Sequence, residues 1–345
     1  PTSVIKGTTR NANNTGFYKY FCVAKNATND SVVSNIAEVA VGCGAKNLQG
    51  EWLSFMCFNL GATKLTIAAQ KNHSMTFSTP NDADGRHYYI AGEEQVYGDL
   101  YQWGRIRDGH EQRGAGAGFV AGSKAVGTNQ AAYNALTPIV FEDGNLIGPS
   151  QHYPWRQVSR NDNNYYGKFI TTSAQNYNWA YDLPANEIDL LWRTTRFAAN
   201  DPCAKIKEDG LTYATFYPTD GITTGANTNW RTPNQDEWGD IYRGGTVNGS
   251  PNTALANTWT WYNSNGCGYD IKPDGSTVTL HLPSVGLRAY GNGSLFSQGI
   301  GGGRYWSTAV SGTGAYALTS SPSNINPANI IVRGYGLALR CIRNS

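Results

Sequence analysis

One stretch of this chain carries a complete helix signal, and the rest of the fold must be arranged around it. Residues 230–243 read WRTPNQDEWGDIYR. Thr232 is a suitable N-cap, Pro233 suits the first helical position, and Gln235 completes a T-x-x-Q capping box. Apolar residues at spacing i, i+3, i+4 follow at Trp238, Ile241 and Tyr242. The pattern predicts one main helix with a single buried face.

Short strands are predicted for most of the chain after this helix. Residues 276–283 (STVTLHLP) alternate, which predicts that Val278, Leu280 and Leu282 point inward. Further strands are predicted in GRYWSTAV, GAYALTS and GLALRCI. Residues 104–200 show little periodicity and predict long ordered loops held by aromatic side chains, with a short helix within 183–192. The pattern predicts an α+β fold.

Composition narrows the class of protein. Charged residues make up 15% of the chain, below the roughly 25% of an ordinary soluble domain. Forty glycines and only two methionines favour a strand-rich, loop-rich extracellular protein. The formal net charge of +2 and the lack of a Lys/Arg run give no reason to expect a nucleic-acid partner. No apolar run of roughly 18 residues is present, so no direct membrane insertion is expected.

Two antiparallel strands are predicted before residue 46. GFYKYFCVAKN would form the first, and SNIAEVAVGC would return after the polar turn ATNDSV. A pair of strands is rarely stable alone. Residues 1–46 are therefore interpreted as the last strands of an immunoglobulin-like sandwich, with a second domain over 47–345. The alternative is that this piece packs on the downstream domain.

Six cysteines are scattered along the chain without a CxxC pair or zinc-like Cys/His spacing. This usage favours disulfides in an oxidising compartment, the alternative being buried free thiols. The spacing alone leaves the pairing open.

Seven phrases in fixed order resemble a known family. They are EWLSFMCFNLGA (51–62), YGDLYQWGR (97–105), DPC (201–203), WRTPNQDEW (230–238), LPSVGLR (282–288), GRYWST (303–308) and GLALRCI (336–342). Together they resemble the Fibrobacter major paralogous domain family, whose members lie on surface proteins of Bacteroidota-like bacteria and their phages. The resemblance covers about residues 47–345 and implies a C-type-lectin-like fold with long loops and one main helix. Residues 208–229 separate two motifs that the family runs together, and are interpreted as a loop insertion.

The resemblance also implies a disulfide pairing. C-type-lectin-like folds often bridge the segment before the main helix to the last strand, which here implies Cys203–Cys341. A second bridge, Cys43–Cys57, would join the domain junction.

Neither catalysis nor a metal is expected. The sequence contains no G-x-S-x-G, HExxH or P-loop motif. His281 lies in a predicted strand and is interpreted as a strand residue, and NDADG (81–85) lacks the spaced ligands of a calcium loop. Formylglycine-generating relatives use cysteines near the end of the fold, whereas here Cys341 stands alone after Cys267. The calcium-bound sugar triplet of C-type lectins has no match in NPA (326–328), so no cofactor is expected.

The last 71 residues contain no Asp, Glu or Lys, but five arginines. Lys and Glu are depleted, and Tyr and Arg enriched, at recognition surfaces. The alternative is a buried C-terminal sheet. In NIIVRGYG (329–336) three apolar residues are consecutive, which points some of them outward.

The segment from Leu287 to Arg340 resembles the variable repeat of proteins diversified by retroelements, which mutate adenines in a C-terminal repeat. Randomised Asn codons can yield Gly, Ala, Ser, Tyr, Ile, Val, Leu, Phe and Arg, but not Lys, Glu, Gln, Met or Trp. The variable ligand-binding region is placed at about 287–338, within a frame of Trp306, Tyr316, Pro327, Arg333, Gly336 and Cys341. The residues that this resemblance assigns to ligand binding are Tyr290, Leu295, Phe296, Ile300, Gly314, Ala317, Leu318, Ile330, Ile331, Val332, Tyr335 and Leu337.

These inferences predict a surface-displayed adhesin or receptor-binding protein that binds an unknown protein or glycan ligand on a cell surface. It would be extracellular, on a bacterial cell surface or a phage virion. The alternatives are an enzyme of the formylglycine-generating type and a structural fimbrial or surface-layer component.

Overall fold

The computed structural model describes residues 16–20, 23–25, 31–34, 37–74, 92–113, 168–171, 179, 192, 201–205, 230–243, 257–264, 267–291, 293, 295–296 and 301–344. The predicted helix within 183–192, apart from Trp192, lies outside these residues. The NDADG segment, Ile300 and the predicted insertion at 208–229 also lie outside them.

The described residues form small antiparallel sheets and few helices, a strand-rich α+β architecture. The first strands are β1 Gly16–Tyr20, β2 Val23–Lys25, β3 Ser31–Val33, β4 Ala37–Val41, β5 Cys43–Lys46, β6 Trp52–Phe55, β7 Tyr101–Gln102, β8 Trp230–Arg231 and β9 Thr258–Tyr262. The later strands are β10 Gly268–Lys272, β11 Leu280–Pro283, β12 Leu287–Arg288, β13 Leu295–Phe296, β14 Arg304–Ser311, β15 Gly314–Ser321, β16 Asn324–Val332, β17 Gly336–Leu337 and β18 Ile342–Arg343. The α-helices are α1 Ile67–Lys71, α2 Glu94–Tyr97 and α3 Gln235–Arg243, and Pro202–Lys205 form a 3-10 turn.

The N-terminal residues form an interrupted antiparallel hairpin. Strand β1 pairs with β4, and β2 pairs with β3. This matches the antiparallel strands expected from the alternating pattern. Strand β5 is not part of that hairpin. It pairs with β6 in a sheet of order β5-β6-β18-β8. Residues 43–46, predicted as the end of the first domain, therefore lie in the sheet that holds β18.

Helix α3 forms where the sequence predicts it, but its cap lies two residues later. The Asn234 side chain accepts a hydrogen bond from the Glu237 N–H (2.8 Å), and the Glu237 carboxylate accepts one from the Asn234 N–H (2.8 Å). This reciprocal pair is the capping box. Glu237 also forms an ion pair with Arg231. The predicted cap at Thr232 and Gln235 is wrong, since Gln235 is the first helical residue.

Thr232 instead fixes the DPC motif to the strand before the helix. Its N–H and hydroxyl each donate a 2.7 Å hydrogen bond to the Asp201 carboxylate, which also accepts from the Cys203 N–H (2.9 Å). Burial raises the pKa of Asp201 to about 6, against the opposing effect of these hydrogen bonds. Cys203 is disulfide-bonded to Cys341, so the segment before α3 is joined to the segment before β18.

The second disulfide joins Cys43 on β5 to Cys57, just after β6. Both bridges are the pairings that the family resemblance implies. Among the described cysteines Cys267 is the free one, and burial raises the pKa of its thiol to about 11.

Two aromatic-rich clusters form the core. The helix cluster buries Trp238, Ile241 and Tyr242, the face predicted for α3, against the sheets around it. The hairpin cluster is built on Trp103 and Trp306. Indole N–H groups hold it together, because Trp103 donates to the Ser307 carbonyl (2.8 Å) and Trp306 donates to the Tyr101 carbonyl (2.7 Å).

The predicted one-sided strand at 276–283 is corrected by the structure. The regular strand is Leu280–Pro283, and all four of its residues are buried. Val278 lies outside it and is partly exposed. Both faces of this strand are covered, so the alternation in its sequence does not mark a solvent face. Among the described helices, none has the length and apolar character needed to span a membrane.

Candidate ligand-binding face

The C-terminal region that carries most of the predicted ligand contacts folds as a three-stranded sheet of order β14-β15-β16. In its register Gly314 faces Val332, Ala315 faces Ile331 and Tyr316 faces Ile330. Successive side chains of a strand point to opposite faces, and directly opposed residues share a face. Two faces of different character follow from this register.

One face belongs to the core. Ala315 and Ile331 lie in the hairpin cluster with Trp306, and Val310 of β14 packs against the same cluster. Ala315 is fully buried and Ile331 nearly so. Their apolar surface is therefore already used in folding.

The opposite face of the sheet carries apolar side chains toward solvent. Ile330 is 53% exposed, among the few large apolar side chains with such exposure in the described part of the chain. Tyr316 and Val332, on the same face, are partly exposed. A β-branched residue this exposed contributes little to folding and retains its apolar area for a partner.

Gly314 provides the space that Ile330 occupies. A Cβ built on Gly314 would lie 2.7 Å from Ile330 Cγ2 and 3.0 Å from the Ile331 carbonyl oxygen. Gly314 itself is buried, since the Ile330 side chain covers it. Its role is to shape the face rather than to contact a ligand through a side chain.

The structure buries six of the residues that the sequence predicts as ligand contacts. They are Leu295, Gly314, Ala317, Leu318, Ile331 and Leu337. Leu337 and Ala317 pack in the hairpin cluster, and Leu295 and Leu318 in the helix cluster. A side chain already enclosed by the protein cannot present apolar area to a ligand.

The turn after β16 carries Tyr335, a partly exposed residue that packs against the hairpin cluster. The Tyr335 N–H donates to the Val332 carbonyl (3.2 Å), which places Tyr335 beside the end of β16. Its ring meets the Tyr290 ring edge-on, with 4.8 Å between centroids. Both tyrosines are partly exposed. We call the set Tyr316, Ile330 and Val332, which share the exposed side of the sheet, the display face.

Two other predicted contacts are placed only in part. Phe296 lies in β13, where its backbone pairs with Leu287, and its side chain lies outside the described residues. Ile300 lies outside the described residues altogether.

Buried arginines form hydrogen bonds that fix the C-terminal sheet and the segment after it. Arg333 donates to the Gly314 carbonyl (3.1 Å) and lies over the Trp103 ring, 4.9 Å from its centroid. Arg340 donates to the Asn59 side-chain oxygen (2.8 Å) and the Met56 carbonyl (3.0 Å). These hydrogen bonds to fixed carbonyls hold the hairpin on the rest of the domain.

A buried charged network stabilises the loop after β7. Arg105 donates to Asp108 from Nε (3.0 Å) and Nη2 (2.6 Å), and Asp108 accepts from His110 Nδ1 (2.7 Å). Asp108, His110 and Glu111 are close enough together to suggest a metal site. However, His110 Nε2 accepts the Gln102 N–H (3.1 Å), so the imidazole proton is on Nδ1, the atom nearest the carboxylates. The histidine therefore has no lone pair aimed at an ion, and the set is interpreted as structural.

His281 is the strand residue that the sequence predicts, and it is paired. Its Nδ1 lies 2.8 Å from an Asp270 carboxylate oxygen, and the other oxygen accepts from Lys71 (2.6 Å). Both partners lower the pKa of Asp270, against the opposing effect of burial. The group joins α1 to β10 and β11.

Comparison of the chain with protein-family models, with curated proteins and with solved structures finds no significant match. The family indicated by the ordered motifs therefore stays a prediction.

Two residues of this region were not predicted as contacts. Tyr316 was assigned to the constant frame, yet it shares the exposed face with Ile330. Arg304 opens β14 inside a core motif, yet it is partly exposed. Only the strand register shows that Tyr316 lies on the exposed face. For Arg304, the one signal in the sequence is the absence of acidic residues from the tail.

Proposed function

We propose that this protein is a surface-displayed ligand-binding protein, an adhesin or receptor-binding module, whose contact surface is the display face. The observation that carries the proposal is the 53% exposure of Ile330 on the hydrogen-bonded three-stranded sheet β14-β15-β16. Its neighbour Ile331 is anchored in the core on the reverse side. Exposed aromatic and aliphatic side chains on a preorganised backbone are what energetic hot spots are made of.

The proposal includes a C-type-lectin-like fold for the C-terminal domain. Two features support it: one main helix among the described residues, and a disulfide from the segment before this helix to the residue that precedes β18. It also includes an extracellular location, which the two disulfides favour because such bonds persist in oxidising compartments.

The proposal further includes diversification, by a retroelement, of the display face and of Tyr335 in the turn that follows it. Ile330, Val332 and Tyr335 are at least partly exposed, so their replacement need not disturb the core. Sequencing the 3′ end of the gene and its flanking DNA across a source population tests this. The expected result is a nearby near-copy differing only at adenines, with variation at codons 330, 332 and 335. An invariant 3′ end without a copy would refute diversification.

Ligand binding is tested separately, with fluorescently labelled protein on intact cells of the community that contains the gene. The double variant Ile330→Ser/Val332→Ser is expected to reduce bound fluorescence about tenfold, the loss of one to two hot-spot contacts. Leu48→Ser is the matched control, because Leu48 is also an exposed apolar residue, 39% exposed, away from the display face. Equal binding by both variants would refute the display face as the contact surface.

The cysteines give little support to the alternative, an enzyme of the formylglycine-generating type. Cys341 lies in a disulfide with Cys203 and is fully buried. Oxidation chemistry at the end of the fold would first require this bond to be reduced.

A further inference from the structure

Strand β9 forms an open edge of the sheet β11-β10-β9. It pairs with β10 on one side, with Thr260 opposite Asp270, and the described residues place no strand on its other side. Thr258 and Thr260 are exposed, and the three aromatic residues of β9 are partly exposed. At the opposite edge of the same sheet, all four residues of β11 are buried. Within the described structure, the edge of this sheet that is exposed is therefore β9.

The hydrogen-bond pattern of the sheet fixes the direction of the backbone groups of β10. The Ser284 N–H donates to the Cys267 carbonyl (2.6 Å), and these residues immediately precede β10 and follow β11. Hydrogen-bonded and non-hydrogen-bonded pairs alternate along an antiparallel ladder. Pro283, which has no N–H, lies opposite Gly268, as this alternation requires. The even-numbered residues of β10 therefore direct their N–H and C=O groups toward β9.

The same alternation shows which groups of β9 point outward. The even-numbered residues of β10 pair with Thr258, Thr260 and Tyr262, whose backbone groups are used in that ladder. The N–H and C=O groups of Trp259 and Trp261 point away from β10, and no hydrogen bond joins them to another described residue. Each tryptophan thus offers a backbone donor and a backbone acceptor to another strand.

Other edge strands of the described structure are protected against such pairing. Natural edges use charged side chains, prolines, bulges or a covering segment for this purpose. Strand β16 carries Pro327 in its middle, and β14 is covered where the Thr308 N–H donates to the Pro233 carbonyl (2.9 Å). Strand β9 reads TWTWY, without a charge or a proline, and its register with β10 is continuous.

We infer that β9 is a dimerisation strand, at which two copies of this chain pair antiparallel across a two-fold axis through Thr260. In this register Trp259 of each copy lies opposite Trp261 of the other, and their outward N–H and C=O groups bond to one another. The sequence Trp-Thr-Trp is the same in both directions about Thr260. Each copy therefore offers what the other requires, as an isologous interface demands.

The chemistry of the strand favours a second copy as its partner. Because β9 carries no charged side chain, two copies meet without like charges opposite each other. Trp259 and Trp261 already contact the Tyr269 ring on one face of the sheet, at 5.7 and 5.1 Å between centroids. The tryptophans of the second copy would extend this aromatic row, and aromatic pairs are among the favourable cross-strand pairs.

The pairing of one short strand is small beside the roughly 1,200–2,000 Å² that a stable interface buries. The expected dimer is therefore weak and depends on concentration. This inference goes beyond the proposed function, because β9 and the display face lie in different sheets.

Sedimentation velocity of the wild type and of two variants, from about 1 μM to 1 mM, covers the range in which so small an interface would associate. Thr260→Glu places like charges opposite each other on the two-fold axis, and should raise the dimer dissociation constant about fivefold or more. Thr258→Glu is the matched control, because it adds the same charge to the same exposed face but lies opposite Tyr262 of the second copy. It should change the dissociation constant less than about twofold. Thermal unfolding verifies that each variant is folded.

A charge-reversal pair tests the two-fold register directly. Thr260→Lys alone should associate as weakly as Thr260→Glu. A mixture of the two should associate at least as tightly as the wild type, because the new ammonium and carboxylate lie opposite each other on the axis. Energy transfer between a donor-labelled Thr260→Glu protein and an acceptor-labelled Thr260→Lys protein measures this.

Three outcomes would overturn the inference. The first is a wild type that stays monomeric over the whole range. The second is self-association that Thr260→Glu leaves unchanged, which would place the interface elsewhere. The third is equal weakening by Thr258→Glu and Thr260→Glu with no recovery in the mixture, which would exclude the axis through Thr260. Cell binding by Ile330→Ser/Val332→Ser still tests the display face separately.

Discussion

The side chain of Ile330 lies against the bare backbone of Gly314, on the solvent side of the C-terminal sheet. A Cβ at position 314 would stand 2.7 Å from Ile330 Cγ2. The two residues are on neighbouring strands, with Gly314 opposite Val332 and Ile330 opposite Tyr316. The most exposed apolar residue of the display face is therefore positioned by the smallest residue of the adjacent strand.

Gly314→Ala is expected to destabilise the protein by about 1 kcal/mol, because the new methyl group overpacks against Ile330. In an Ile330→Ala background the same change should cost much less, since the crowded Cγ2 is gone. Urea unfolding of the four proteins in the cycle measures this coupling, which should be about 0.5 kcal/mol or more for residues in contact. Equal costs in both backgrounds would contradict the contact.

Truncation of the two adjacent isoleucines should reduce the free energy of unfolding by different amounts. Ile331→Ala removes a core side chain and should cost about 2–4 kcal/mol. Ile330→Ala removes a half-exposed one and should change the free energy of unfolding by less than about 1 kcal/mol. Chemical denaturation of the pair, each the control of the other, checks the register. A larger loss of stability for Ile330→Ala than for Ile331→Ala would mean that Ile330, and not Ile331, lies on the core face of the sheet.

The long disulfide should contribute most of the covalent stabilisation. Cys203 and Cys341 are 138 residues apart, whereas Cys43 and Cys57 are 14 apart. By chain entropy the first bond is worth about 4–5 kcal/mol and the second about 3 kcal/mol. Guanidinium unfolding of Cys203→Ser/Cys341→Ser and Cys43→Ser/Cys57→Ser should show this order. Non-reducing peptide mapping of the wild type should find neither pair alkylatable, and Cys203 modified in the native protein would contradict the pairing.

The cap of α3 gives a sharp local test. Asn234→Ala removes the side-chain acceptor of the Glu237 N–H and should destabilise the protein by about 1 kcal/mol. Gln235→Ala, which alters the residue of the sequence-predicted box, should cost less than about 0.5 kcal/mol. Thermal unfolding of both variants distinguishes the two cap assignments, and a larger loss for Gln235→Ala would restore the predicted one.

The buried imidazole of His110 should make stability sensitive to acid. Burial, together with the nearby Arg105, lowers the pKa of His110 to about 4, against the opposing effect of Asp108. An unfolded histidine has a pKa near 6.5, so as the pH falls below about 6.5 the unfolded chain takes up the proton first. The stability linked to this group is fully present above about pH 6.5 and is lost as the pH falls toward 4.

Urea unfolding of wild type and His110→Gln between pH 7.5 and pH 4.5 measures this effect. The stability difference between the two proteins should shrink as the pH falls. His73→Gln, which removes a partly exposed imidazole elsewhere in the chain, is the control variant. A difference for His110→Gln that stays constant across this range would contradict a buried neutral histidine.

The sequence by itself determined the elements whose signals are local. The helix at α3 and its buried face follow from a period of 3.6, and the strands of the C-terminal half follow from short alternating runs. The N-cap of this helix could not be assigned from the sequence, because Thr232 and Asn234 are both acceptable N-cap residues. The Thr232 hydroxyl donates instead to the Asp201 carboxylate, which belongs to a segment about 30 residues earlier in the chain, and only the tertiary structure shows this contact.

The tertiary structure alone decided which tail residues face solvent. In a run such as Ile330, Ile331 and Val332 either parity is compatible with the composition, and a slip of one residue exchanges the faces. Register shifts lie between Trp306 and Val310 on one strand and between Ala317 and Thr319 on the next. Ala317 and Leu318 point to opposite faces and are both buried, in different clusters, because both sides of the sheet are covered at this point. The choice between core and display face depends on strand pairing between residues far apart in the chain, which no local pattern records.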